Sequence, residues 1–98
     1  MKMTFMALSL MGILSSVQAA DIDAGKEKAA ACAGCHGADG MATQPAYPNL
    51  AGQNAEYLVS AMKAYQSGDR NHAIMKAMVA SLSETDIENI AAYYESLK

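Results

Sequence analysis

Both cysteines of this 98-residue chain and one of its two histidines stand in five consecutive positions, Cys32-Ala33-Gly34-Cys35-His36. On a helical turn, positions i, i+3 and i+4 project from one side, so two thiols and an imidazole converge on a single patch. A patch of that kind near the start of a short domain dictates what the rest of the chain wraps around. The domain is short: a core drawn from ~80 residues rarely contributes more than ~3–5 kcal/mol, so chains of this size usually carry a covalent or metal staple.

The domain is shorter than the chain because the first twenty residues read as a leader. Met1-Lys2-Met3 is a short positive start, and residues 4–14 form an apolar run interrupted only by small residues. Eleven residues fall well below the ~20 that span a bilayer as a helix, but they suit the middle of a secretory signal peptide. Ser15-Ser16-Val17-Gln18-Ala19-Ala20 supplies the small-residue exit. Val17 and Ala19 fit the positions three and one before a cut, so residues 1–19 are expected to be removed; a cut after Ala20 would put the larger Gln18 at the third position. The expected location is the periplasm, with residues 20–98 as the working domain. No cysteine follows the apolar run directly, so no lipid anchor is indicated, and no stable membrane insertion is expected after cleavage.

Past residue 19 the chain carries six Lys and Arg (Lys26, Lys28, Lys63, Arg70, Lys76, Lys98) against all ten Asp and Glu, a net charge of −4. No basic surface is available to hold a phosphate backbone, so nucleic acid is not an expected partner.

Three helices can be read from the pattern. Asp21 or Asp23 is placed to cap a first helix running through Gly25 to Ala31 and the cysteine pair. Residues 37–53 contain Gly40, Pro45, Pro48 and Gly52 without helical or strand periodicity, which predicts a long irregular loop. Asn54 then caps a helix with Tyr57, Leu58, Ala61, Met62 and Tyr65 on one face, closed at Ser67-Gly68. Ser83 and Asp86 have capping-box spacing, and Ile87, Ile90, Ala91, Tyr94 and Leu97 continue as an amphipathic helix. Residues 73–80 fit a helical turn or a loop equally well. Nothing alternates like a strand, so the expected fold is all-α with three to four helices and long connections.

The convergent patch has several chemical readings. A disulfide across so small a loop would add little stability. A thioredoxin-like redox pair requires a βαβ setting that the chain lacks. Tetrahedral zinc needs four ligands, and only His72 is available beyond Cys32, Cys35 and His36. Cys-x-x-Cys-His is the pattern read as covalent attachment of a haem: each thiol adds to a vinyl group and the adjacent imidazole reaches the iron. One haem c held through Cys32 and Cys35, with His36 on the metal, also supplies the staple.

Further motifs follow in order: Gly37-Ala38-Asp39-Gly40, Tyr47-Pro48-Asn49-Leu50-Ala51-Gly52-Gln53, Tyr57-Leu58, Gly68-Asp69-Arg70-Asn71, Ile74-Met75, Leu82-Ser83 and Ile90-Ala91-Ala92-Tyr93-Tyr94. Together with Cys-x-x-Cys-His they resemble the class I bacterial cytochromes c, in particular the single-haem c553 type and the half-domains of the two-haem cytochromes c4. The resemblance covers residues 20–98 and implies a small cytochrome c fold wrapped around one covalently bound haem.

The second axial position decides whether such a protein carries electrons or binds gases. Met41 lies only five residues past His36, and Met62 sits in an apolar stripe where Met is usually core filler. Met75 and Met78 remain, with the imidazole of His72 as a lower-potential alternative. The resemblance assigns the ligand to the Met eight residues before the Ser that opens the last helix, which is Met75, and leaves Met78 as pocket lining. It also assigns the acceptor for the second imidazole nitrogen to the Pro48 carbonyl, places Leu50 against the haem, and puts Gly25 and Tyr93 where the terminal helices cross. Tyr57 and Arg70 are candidates for contact with a propionate. With both axial positions filled from the protein, the expected role is a one-electron carrier and not an enzyme, docking transiently on redox donors and acceptors. The competing expectations are a haem subunit of a larger enzyme and an open-site haem protein binding a small gas or peroxide.

Overall fold

The structure, a computed structural model, describes residues 19–98. The predicted leader falls outside these residues except for Ala19. The described chain is helical, with no strand.

Helix α1 (Ile22–Lys28) is capped by Asp21, not Asp23: the Asp21 carboxylate accepts the Ala24 N–H at 3.1 Å. The continuous run to the cysteines expected from sequence is broken, because Ala29–Ala31 tightens into one 3₁₀ turn before α2 (Ala33–His36). After the loop, Asn54 caps α3 (Ala55–Ser67), with its side chain accepting the Tyr57 N–H at 3.1 Å. Residues 73–79, undecided from sequence, form α4 (Ala73–Val79). Its cap is His72, whose Nδ1 accepts the Met75 N–H at 3.2 Å. Helix α5 (Glu84–Ser96) opens on the predicted capping box, with Ser83 and Asp86 exchanging side-chain to backbone bonds at 3.0 Å each. Counting the four-residue α2 and the seven-residue α4, there are five α-helices and one 3₁₀ turn among the described residues, against three to four helices expected.

The core forms where α1 crosses α5. Ile87, Ile90, Ala91, Tyr93 and Tyr94 are buried on α5, and the last four pack in one cluster with Ala29 from the 3₁₀ turn and Leu58 from α3. Close approach of the two helices rests on Gly25. A Cβ at that position would lie 2.0 Å from the Asn89 carbonyl oxygen, a distance no methyl can occupy. The crossing is pinned at its end by Asn89, whose side-chain oxygen accepts the Asp21 N–H at 2.9 Å. The exposed Lys28 also joins α1 to α5 by pairing with the half-buried Asp86 at 3.7 Å.

Two outcomes follow from this packing. Gly25→Ala forces backbone apart from backbone, so it is expected to cost about 3 kcal/mol and lower the midpoint of thermal unfolding by roughly 10 °C or more. Gly34→Ala is the control, since nothing lies within 4 Å of its added methyl. The Asp86 carboxyl is held below its ordinary value by the Ser83 N–H, helped by the Ser83 hydroxyl and by Lys28. A carboxyl depressed by folding stabilises the fold above its unfolded pKa and loses that contribution as pH falls. Asp86→Asn should therefore flatten the decline of the unfolding midpoint below about pH 4, measured against the wild type in the same titration.

Candidate haem-binding cleft

The site begins with backbone hydrogen bonds that turn the chain tightly at residues 32–36. The Cys32 N–H donates to Ala29 O at 2.8 Å, and the Cys35 and His36 N–H groups both donate to Cys32 O, at 3.2 and 2.9 Å. This puts Cys32, Cys35 and His36 on one wall of a cleft of about 550 Å³, within the range of sites that enclose a cofactor. Both cysteines are free thiols. Burial raises the Cys32 thiol pKa, with the Tyr94 hydroxyl pulling against it and Cys35 adding to it. Tyr94 is raised as well, chiefly by burial and then by its proximity to Cys32.

His36 is buried, only 6% exposed. Its Nδ1 lies 2.9 Å from the carbonyl oxygen of Pro48. A carbonyl can only accept, so Nδ1 carries the proton and Nε2 keeps the lone pair. That is the tautomer a metal-binding imidazole needs, and the acceptor is the one the resemblance implied.

The loop delivers Pro48 through its own bonds. Gly40 O accepts the N–H groups of Leu50 and Ala51 at 2.8 and 3.0 Å, and Asn49 Oδ1 accepts the Ala42 N–H at 2.7 Å. Gly37 begins the loop at φ +88°, where a Cβ would sit 2.0 Å from the Met41 carbonyl, so only glycine makes this turn. Gly52 N–H donates to Tyr94 O at 2.8 Å and ties the loop's far end to α5.

The rest of the lining comes from α3, α4 and the joint before α5. The whole predicted apolar face of α3 (Tyr57, Leu58, Ala61, Met62, Tyr65) lines the cleft, although only Leu58 is buried in the core. Met62 therefore serves both the core margin and the cleft, beyond the filler role expected of it. Met75 and Met78 line it from α4; Met75 is half-buried and Met78 is exposed. Met41 is half-exposed on the loop and takes no part in the lining. Leu50, Tyr57 and Arg70 are all at the cleft, with the Arg70 guanidinium 4.6 Å from the centre of the Tyr65 ring.

His72 is also at the cleft, but its Nδ1 is engaged as the α4 cap. A neutral imidazole accepting at Nδ1 carries its proton on Nε2 and has no free lone pair there. Among the described residues no group of three or more His, Cys, Asp or Glu is arranged to hold a metal ion. Sequence reasoning missed Gln66, which bonds two backbone carbonyls across the α4–α5 joint, and Glu95, which accepts the Ala55 N–H at 2.6 Å. Neither carries a motif signal, because each partner is a main-chain atom remote in sequence.

A buried imidazole with Nε2 left free, beside two thiols at haem-attachment spacing and an apolar cleft of cofactor size, defines a c-type haem protein. Residues 22–98 match the family model described as Cytochrome c, and the chain belongs to the cytochrome c family. Over 81 residues it is 51% identical to cytochrome c-554(548) of Halomonas halodenitrificans, covering 80% of this chain and 98% of that one. It is 37% identical over 94 residues to the thiosulfate dehydrogenase electron acceptor of Thiomonas intermedia, covering 95% of this chain and 43% of that protein. Reduced recombinant cytochrome c4 from Pseudomonas stutzeri, a crystal structure, superposes with a TM-score of 0.76 at 38% identity, over 82% of this chain and 47% of that chain. The chain thus spans nearly all of the first relative and less than half of the other two. The cofactor is covalently bound haem c, for which Cys32, Cys35 and His36 fit the attachment motif, and the chain is an electron-carrying haem protein of the class I type.

Proposed function

We propose that this chain is a periplasmic single-haem cytochrome that passes one electron at a time between redox proteins. Residues 1–19 are its cleaved leader and residues 20–98 its working domain. Cys32 and Cys35 would hold the haem through thioethers, and His36 and Met75 would supply the nitrogen and the sulfur that bind its iron. The observation that carries this reading is the shared cleft, with the Cys32-to-His36 turn on one wall and the half-buried Met75 among the lining from α4.

Haem c, once bound, supplies one-electron cycling between Fe(III) and Fe(II). The chain's part is to set ligands and exclude others. His36 is oriented by the Pro48 carbonyl, which fixes its ring and strengthens Nε2 as a donor. A neutral, soft thioether from Met75 favours the ferrous state and raises the potential relative to a second imidazole. Met75 is preferred to Met78 by its deeper burial, and to His72 because that ring caps α4. With His36 and Met75 both on the iron, no place would be left there for a substrate, which is the property of a carrier and not of an enzyme.

Tyr57, Ile74 and Met78 are exposed at the cleft. Through this mouth a partner would dock briefly over a small interface. The acidic balance favours partners with basic rims, so added salt should slow the encounter. A relative that accepts electrons from thiosulfate dehydrogenase fits donors of the dehydrogenase class. Among the described residues no helix is long and apolar enough to cross a membrane.

The test is spectroscopic. Oxidised protein should show the weak far-red charge-transfer band of thioether-ligated iron, and the reduced form should bind carbon monoxide slowly. Met75→Ala should abolish the band and admit carbon monoxide rapidly, while Met78→Ala should keep both wild-type properties. Loss of the band in Met78→Ala alone would reassign the ligand. A wild-type protein without the band and with rapid carbon monoxide binding would instead fit an open-site haem protein.

A further inference from the structure

Helix α4 has seven residues, too few to persist without support from what it packs on. Its first turn is held by His72, but that bond is internal to the segment and cannot fix α4 to the rest of the fold. The support comes from the neighbouring helix. Gln66, one residue before the end of α3, donates from Nε2 to the carbonyl oxygens of Val79 at 2.8 Å and Leu82 at 3.0 Å. Val79 is the last residue of α4 and is buried, and Leu82 immediately precedes the Ser83 cap of α5.

The last carbonyls of a helix have no partner within it, and here one amide engages such a carbonyl together with the next chain segment. The joint is closed from inside by the Leu82 N–H, which donates to the same Val79 oxygen at 3.1 Å. Among the described residues, the bond from Gln66 to the Val79 carbonyl is the only side-chain hydrogen bond that joins α4 to another helix, and its second bond, to Leu82, ties the segment that leads into α5.

We propose that Gln66 is a positioning residue for the axial thioether. By anchoring the C-terminal end of α4 to α3, it fixes the helix whose first turn carries Met75 and sets how readily that sulfur leaves the iron. The inference rests on Met75 being the ligand. Gln66 itself touches neither sulfur nor imidazole in this scheme; it acts through the helix it holds.

The experiment uses the oxidised holoprotein and imidazole as an incoming ligand, since imidazole enters only when the thioether departs. Gln66→Leu keeps the approximate size and removes both donors. It should retain the far-red band at neutral pH and bind imidazole roughly tenfold faster. Gln66→Lys returns a donor to the two carbonyls and should bring the rate back toward wild type. Asp21→Ala, which removes the α1 cap far along the chain, controls for general loss of stability. The proposal is overturned if Gln66→Leu exchanges at the wild-type rate, if the lysine variant is as fast as the leucine one, or if Asp21→Ala accelerates exchange equally. A wild-type protein lacking the far-red band would overturn the Met75 assignment, and this inference with it, before any variant is compared.

Discussion

The hydrogen bond from His36 Nδ1 to the Pro48 carbonyl is the contact on which the site depends. It joins the two parts of the chain that local structure alone would leave independent, the tight turn at residues 32–36 and the loop that follows. It does three things at once: it satisfies a buried polar ring, sets the tautomer that leaves Nε2 able to bind metal, and fastens the loop twelve residues away. Pro48 suits this position because it offers a carbonyl and has no N–H of its own. The loop's other bonds, from Gly40, Asn49 and Gly52, hold that carbonyl in place.

The helices supply the rigid frame for this arrangement. With no side chain at Gly25, α1 rests directly on α5, and the packed face of α5 then presents Tyr94 beneath Cys32. Helix α3 shares its apolar face between core and cleft: Leu58 is buried in the core and Met62 packs at its margin, while both also line the cleft with Ala61 and Tyr65. A domain of this size has too little core to stand on side-chain packing alone. A haem attached at Cys32 and Cys35 and filling the cleft would extend the apolar interior across α3 and α4 and join cofactor to core.

How far the sequence disclosed this depended on whether a feature is local. Asn54 and the Ser83–Asp86 pair bond backbone groups within three residues, and those caps are where the pattern places them. The glycine- and proline-bearing loop and the Cys32-to-His36 turn are local in the same sense. Helix α4 was not legible, because its cap is a histidine and its short apolar run has no distinct polar face. The break at Ala29 escaped notice too, since three alanines favour an α-helix and only the tertiary setting tightens them into a 3₁₀ turn. Gln66 is the clearest case: its partners are two carbonyls 13 and 16 residues away, which no residue type advertises. The His36 acceptor is equally remote, and only the resemblance to a known family pointed to Pro48.

The most direct test of the central claim is the location of the proton on the His36 ring, read by nitrogen–proton NMR of the reduced holoprotein at neutral pH. The account predicts a slowly exchanging proton on Nδ1, with through-space contacts to protons of the Pro48–Asn49 segment, and no proton on Nε2. A proton on Nε2 with Nδ1 unprotonated, or an Nδ1 proton exchanging freely with water, would contradict it.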